Sequence, residues 1–200
     1  MHLVIPRFAK AKTTLSLALM GLGIFIWAVY SWATYTIVVD RSEISVDQSI
    51  GKRVYQGKPF TGEARIHAAD GSLLSSEFFK RGERHGAYKK YFPNGQLSYI
   101  AYFEDGMREG SSQSWWDNGN LRAETHYSQD KPEGVAWQWY RTGEKFKRHH
   151  YANGEPQGLQ QAWRKNGKLY SNYEYRNGRI YGLNKADLCV ELDNEALVIN

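Results

Sequence analysis

The stretch YFPNGQLSYIAYFEDG, from Tyr91 to Gly106, carries the pattern that decides the fold. An aromatic ring is followed by a turn with glycine, and then by a strand-like run that ends in a second ring and a second glycine. The same plan begins again at Trp115, Trp139 and Trp163, each time 24 residues further along the chain. Because one two-stranded hairpin is marginally stable in water, a hairpin that recurs at a fixed interval predicts units that stack on one another.

Three sets of turn residues share this interval. They are Gly62, Gly86, Gly110, Gly134, Gly158 and Gly182; Gly71, Gly95, Gly119, Gly143 and Gly167; and Gly82, Gly106, Asp130, Gly154 and Gly178. Glycine adopts positive φ at low steric cost, and aspartate tolerates it better than most residues. The Asn-Gly pair at 94–95 predicts a hairpin turn. The spacing of Gly82 and Gly86 predicts a second, longer turn.

Rings and leucines form columns at the same interval. The columns are Tyr91, Trp115, Trp139 and Trp163; Phe79, Phe103, Tyr127, Tyr151 and Tyr175; and Leu73, Leu97, Leu121 and Leu169, interrupted by Lys145. The predicted fold is mainly β: an elongated, twisted antiparallel meander of five stacked 24-residue hairpin repeats over residues 57–182. The first unit, 57–81, is interpreted as an N-terminal cap, and residues 183–200 as a capping strand or tail.

This plan resembles MORN repeats, and in particular the bacterial YwqK-type, antitoxin-like variant. The segments that match it best are Gly86–Gly106, Gly110–Asp130 and Gly158–Gly178. The resemblance implies a sheet used for protein contacts or, in some relatives, for membrane lipid. An antitoxin or immunity role, with a toxin as the partner, would be a special case.

The N-terminal region predicts a membrane anchor. Residues 15–39 contain no charged side chain, and about 20 apolar residues suffice to cross a bilayer as a helix. Aromatic rings suited to the headgroup boundary occupy its second half: Trp27, Tyr30, Trp32 and Tyr35. Arg7, Lys10 and Lys12 precede it and predict a cytoplasmic N-terminus at residues 1–14. The chain is therefore expected to cross the cytoplasmic (inner) membrane once, with its repeats periplasmic or extracellular.

A cleaved secretory signal is the alternative interpretation of this segment. Ser31-Trp32-Ala33 loosely resembles a cleavage site, although the apolar run is longer than a usual signal core. Both interpretations export the rest of the chain. Residues 40–56, which are polar, are predicted to be a short spacer above the membrane.

Charge and cysteine content exclude some classes of partner. The chain has 26 Lys and Arg against 21 Asp and Glu, and three of the cations precede the membrane segment. The remaining 23 nearly balance the acids, so no basic face predicts nucleic-acid binding. Cys189 is the single cysteine, and apolar neighbours predict that it is buried.

The sequence predicts neither catalysis nor a cofactor. No Ser or Cys lies in a recognisable frame with His, and no phosphate-binding loop precedes a helix. His126, His149, His150 and Glu174 share one part of the sheet, but equivalent strands of successive hairpins lie about 10 Å apart. Ligands of one metal ion need donor atoms about 2 Å from it, so no metal site is predicted.

The fourth unit contains the strongest combination of basic and aromatic residues. Alternation places Lys145 and Lys147 together on one face, and Phe146 is shifted in a way that suggests a bulge. A solvated basic strand that deters sheet-to-sheet aggregation is the plain alternative. The candidate partner-binding residues are Trp115, Trp116, Trp137, Trp139, Lys145, Lys147, Arg148 and His149.

Three functional hypotheses follow. The first is a non-catalytic, membrane-anchored repeat scaffold that binds a protein partner. The second is recognition of an envelope glycan or lipid by the aromatic face of the sheet. The third is self-association through sheet edges or Cys189. Exposure of the rings separates the first two, since stacking on sugars requires accessible tryptophan.

Overall fold

The computed structural model describes residues 36–183, and these are mainly β-strand. A short N-terminal part precedes the hairpins. It consists of β1 (Val38–Asp40), a 3-10 helix (Arg41–Glu43), β2 (Ser45–Asp47), β3 (Lys52–Tyr55) and β4 (Lys58–Pro59). Across the described residues we find no helix with the length and apolar character needed to span a membrane.

Five hairpins follow in a single long meander. Their strands are β5 (Gly62–His67) and β6 (Leu73–Lys80); β7 (Glu83–Tyr91) and β8 (Leu97–Glu104); β9 (Met107–Arg108), β10 (Gly110–Trp115) and β11 (Leu121–Ser128); β12 (Lys131–Trp139) and β13 (Lys145–Ala152); β14 (Glu155–Pro156), β15 (Gly158–Trp163) and β16 (Leu169–Arg176); and then β17 (Arg179–Leu183). The stacked hairpin repeats predicted from the 24-residue interval are confirmed.

The strands of residues 36–183 form two sheets. The large sheet follows chain order from β5 to β17 with antiparallel pairs, and β1 pairs in parallel with β5 at its start. β9 and β14 are short additions to β8 and β13. The second sheet is small and has the order β2-β3-β4.

The region predicted as a spacer, residues 40–56, is folded. Asp40 caps the 3-10 helix by accepting a hydrogen bond from the Ser42 amide, and Ile44 and Val54 are buried. Ile44 belongs to a buried apolar cluster that includes Phe60 and Phe79, whose ring centroids are 5.9 Å apart. Polar residues outnumber the apolar ones in this segment, so its composition alone does not predict these strands.

The turns between hairpins are shorter than predicted. Only Arg81 and Gly82 separate β6 from β7, and both have positive φ, at 51° and 82°. Positive φ at both central residues is typical of the two-residue type I′ turn, whose twist matches that of the strands. The equivalent pairs are Asp105–Gly106, Gln129–Asp130, Asn153–Gly154 and Asn177–Gly178.

The Asn-Gly segments form the longer turns within each hairpin. Residues 92–96 connect β7 to β8, and only Gly95 among them has positive φ. Asn94 instead accepts a hydrogen bond from the Gln96 amide at 3.0 Å, as Asn118 does from Asn120. Asparagine serves here as a side-chain acceptor and does not adopt positive φ itself. For this reason the Asn-Gly turns are the longer ones, whereas the sequence predicted that the turns at Gly82 and its equivalents would be longer.

Cross-strand pairing joins the predicted columns to one another. Each ring of the second column lies opposite a glycine: Gly62–Phe79, Gly86–Phe103, Gly110–Tyr127, Gly134–Tyr151 and Gly158–Tyr175. The first ring column pairs with the leucine column: His67–Leu73, Tyr91–Leu97, Trp115–Leu121, Trp139–Lys145 and Trp163–Leu169. The glycines and the two columns of rings therefore pair in the same register in every hairpin.

A bulge accompanies each ring–leucine pair. In the fourth hairpin Gln138 pairs with Lys147 and Trp139 with Lys145, so Phe146 is an extra residue between them. The shift suggested by the sequence is therefore present, and it recurs at the same place in all five hairpins. A bulge changes which residues share a face, and this decides the geometry of the candidate site.

Two predicted segments extend beyond the described residues. Of the predicted membrane segment, 15–39, only residues 36–39 are described, and Val38 and Val39 belong to β1. Cys189 and the capping strand predicted over 183–200 lie outside the described residues, apart from Leu183 at the end of β17. Both segments stay predictions.

Candidate partner-binding surface

Three indole rings stack on one face of the sheet. The Trp137 ring lies between two others, with its centroid 6.1 Å from that of Trp139 and 6.0 Å from that of Trp163. The interplanar angles are 26° and 20°, so the rings are nearly parallel. All three are partly exposed to solvent. We call this face, with Lys145 and Arg148, the tryptophan face.

Two cations lie over the central indole. The ammonium group of Lys145 is 5.1 Å from the centroid of Trp137, and the guanidinium of Arg148 is 6.0 Å from it. Both distances are within the range of cation–π attraction. Arg148 also donates a hydrogen bond to the carbonyl of Leu159 at 3.3 Å, which holds its side chain along the sheet. The tryptophan face thus combines flat apolar area with positive charge.

Lys147 and His149 lie on the opposite face. Lys147 pairs across the strands with Gln138 and Ala162, whereas Arg148 pairs with Trp137 and Gln161. Neighbouring residues of a strand point to opposite faces, so Lys147 is separated from Trp137 by the sheet. The expectation that Lys145 and Lys147 share a face is wrong, because the extra residue Phe146 reverses the alternation between them.

His149 is held in a polar pocket on that second face. Its Nδ1 lies 3.0 Å from Oε1 of Gln160, a residue that is 1% exposed. Burial lowers the pKa of His149 below its ordinary value, while the hydrogen bond with Gln160 opposes the shift. The imidazole is therefore neutral near pH 7. Its contacts are those of a structural residue.

Trp115 and Trp116 lie at the hairpin ends and line a groove between the second and third hairpins. The groove has a volume of about 590 Å³ and is lined by Phe92, Pro93, Asn94, Trp115, Trp116, Asp117, Arg122 and Arg141. The guanidinium of Arg122 lies 4.7 Å above the Trp116 ring. Trp116 Nε1 donates to the carbonyl of Trp139 at 3.2 Å, which connects the groove to the edge of the tryptophan face.

The predicted site residues therefore fall into three places. Trp137, Trp139, Lys145 and Arg148 are together, Trp115 and Trp116 border the groove, and Lys147 and His149 are on the other face. Three further residues, which were not predicted from the sequence, complete these sites: Trp163, Arg122 and Phe92. The 24-residue interval could have found two of them, since Trp163 follows Trp139 and Phe92 precedes Trp116 by one period.

Carboxylates and histidines of residues 36–183 form no cluster suited to a metal ion. No three Asp, Glu, His or Cys side chains of this part converge as metal ligands would. The histidines of the fourth hairpin are bonded locally, and His150 Nδ1 lies 2.8 Å from the carbonyl oxygen of Gln157. Glu77 is buried beside Arg84 and Arg41, which form ion pairs with it.

Comparison with known families identifies part of this repeat. The model of the MORN repeat variant matches residues 84–105 and 108–129. These two segments are MORN-variant repeats. They correspond to the second and third hairpins and supply most of the groove, including Phe92, Trp116 and Arg122. The stacked indoles of the tryptophan face lie beyond the two matched MORN-variant repeats, in the fourth and fifth hairpins.

Similarity to solved structures is remote. A crystal structure of accessory secretory protein 1, 2 and 3 from Streptococcus pneumoniae is similar at 15% identity with a TM-score of 0.18. The match covers 72% of the present chain and 20% of that one, so the chain spans about a fifth of its length. No curated protein matches the chain.

Proposed function

We propose that this chain is a non-catalytic repeat scaffold that is anchored in the cytoplasmic membrane and holds a protein partner on the outer side. The observation that carries the proposal is the stack of Trp137, Trp139 and Trp163 under two cations. Tryptophan and arginine are enriched among the few residues that supply most of the binding energy at protein interfaces. The anchor and the outward orientation rest on residues 15–39 and the cations before them.

Charge favours an acidic partner surface. Lys145 is exposed. Among the described residues its ammonium group makes a cation–π contact with the Trp137 ring and no ion pair. A carboxylate of the partner could therefore pair with this ammonium group without breaking an existing ion pair. Opposite charges across an interface raise the association rate and select the partner. A toxin bound in an immunity complex would be one such partner.

The test is crosslinking in intact cells, followed by purification through a C-terminal tag and identification of the attached protein. Lys145→Glu and Lys147→Glu form a matched pair, because they make the same charge change on the same strand but on opposite faces. We expect Lys145→Glu to reduce capture of the partner about tenfold, and Lys147→Glu to leave it nearly unchanged. Capture that is insensitive to Lys145→Glu, or equally sensitive to both, contradicts the proposed surface.

A further inference from the structure

A repeated hydrogen bond ties successive hairpins together at their turn ends. Trp116 Nε1 donates to the carbonyl of Trp139 at 3.2 Å, and the Tyr140 hydroxyl donates to that of Trp163 at 2.9 Å. Trp116 and Tyr140 are equivalent, being 24 residues apart, and so are their acceptors. A second bond supports the first of these links, since Asn118 Nδ2 donates to the carbonyl of Arg141 at 2.8 Å.

The second hairpin does not make either of these bonds. The residue equivalent to Trp116 is Phe92, whose side chain has no hydrogen-bond donor. The residue equivalent to Asn118 is Asn94, and its Nδ2 donates to Gln96 Oε1 within its own turn at 2.8 Å. The carbonyls of Trp115 and Asp117 are thus left without the side-chain donors that their counterparts receive. The groove of about 590 Å³ lies at this junction.

The groove offers flat apolar walls and one available cation. Phe92, Trp115 and Trp116 provide the rings, and all three are partly exposed. Arg141 is neutralised by Asp117, with 2.8 Å between Nη2 and Oδ1. Arg122 has only the Trp116 ring as a partner among residues 36–183, so its guanidinium hydrogens remain available to an anion.

We propose that this groove binds a pyranose ring that carries a carboxylate. The apolar face of a sugar ring stacks on indole and phenyl rings, and its hydroxyls donate to the carbonyls of Trp115 and Asp117 in place of the missing side chains. The carboxylate pairs with Arg122 through charge-assisted hydrogen bonds. An acidic peptide would supply the carboxylate, but it would not supply a saturated ring whose hydroxyl groups can donate hydrogen bonds to these carbonyls. This site is separate from the proposed protein surface and does not depend on it.

The test is calorimetric titration of the full 200-residue chain, purified in mild detergent. Two sources of the same chemistry are compared, each with a neutral counterpart. Trigalacturonic acid is compared with its methyl ester, and the disaccharide of N-acetylglucosamine and N-acetylmuramic acid is compared with N,N′-diacetylchitobiose. We expect the acidic member of at least one pair to bind with Kd of about 1 mM or lower, and roughly tenfold more tightly than its neutral counterpart.

Two variants and one control locate the binding. Phe92→Trp supplies the indole donor found at position 116, closes the groove and lowers affinity about tenfold, while the melting temperature stays the same or rises. Arg122→Gln, an exposed change, removes the preference for the acidic sugar. Tyr140→Phe deletes the equivalent bond at the fourth hairpin and leaves binding unchanged. The proposal is overturned if neither acid binds better than its neutral counterpart, or if both Phe92→Trp and Arg122→Gln bind it as the natural chain does.

Discussion

Lys145 lies directly across the fourth hairpin from Trp139, at the position where each of the other four hairpins places leucine. Its ammonium group extends over the neighbouring Trp137 ring, at 5.1 Å from the centroid. A leucine there would cover tryptophan with an apolar side chain. The lysine instead places a positive charge over the stacked indole rings. This hairpin therefore lacks the apolar contact that leucine would make, and its surface can attract an anion.

Restoring the leucine should stabilise the sheet. Lys145→Leu re-creates the Trp–Leu pair of the third and fifth hairpins, and we expect the free energy of unfolding to rise by about 0.5 kcal/mol. Urea denaturation of the two chains measures the difference. Leu121→Lys is the reverse change at the equivalent position of the third hairpin, and it should lower stability by a similar amount or more. A destabilising Lys145→Leu would show that the lysine itself supports the fold.

The hydrogen bond between hairpins should contribute measurably to stability. Tyr140→Phe removes the hydroxyl that donates to the Trp163 carbonyl, and we expect a loss of about 1 kcal/mol. Tyr102→Phe is the matched control, because that ring is 46% exposed on β8. Thermal melting followed by circular dichroism distinguishes the two. Equal effects of the two substitutions would mean that the bond does not link the hairpins.

Asp130 should stabilise the fold at neutral pH and lose this contribution in acid. Hydrogen bonds from the Arg108 side chain and amide lower the pKa of Asp130 below its ordinary value. A carboxyl with a lowered pKa in the folded state stabilises the protein above its unfolded pKa and loses that contribution as pH falls. The stability difference between the natural chain and Asp130→Asn should therefore be largest near pH 7 and should shrink below about pH 4. A constant difference would exclude this linkage.

His149 should lower the free energy of unfolding at mildly acid pH. Because burial lowers its pKa in the folded state, protons bind more tightly to the unfolded chain. Stability should then decrease as pH falls through about 6.5, the ordinary pKa of histidine. His149→Gln should remove this part of the pH dependence. A pH dependence that His149→Gln leaves unchanged would contradict this linkage.

The repeated architecture could be predicted from the sequence because every hairpin obeys one rule. Glycine and ring recur at fixed spacing, and cross-strand pairing uses both in all five units. The turn types could not be assigned, since asparagine favours both a type I′ turn and a turn stabilised by its own side chain. The hydrogen bonds at Asn94 and Asn118 show that the second use applies here.

The candidate site could be predicted only in part, and the bulge is the reason. Alternation along a strand places residues i and i+2 on one face, which groups Lys145 with Lys147. One extra residue, Phe146, separates them onto opposite faces. Trp163 was missed because it is distant in sequence from the basic segment, although it stacks on Trp137. Composition identified the fourth hairpin, but register decides which of its residues act together.

The measurement that tests the central claim most directly is site-specific photo-crosslinking in living cells. A photoreactive amino acid is placed at position 145 in one chain and at position 147 in another, so that the probes project from opposite faces of the same strand. We predict a discrete adduct with one protein from position 145 and none from position 147. Adducts of equal yield from both positions, or from position 147 alone, would contradict the assignment of the tryptophan face as the partner-binding surface.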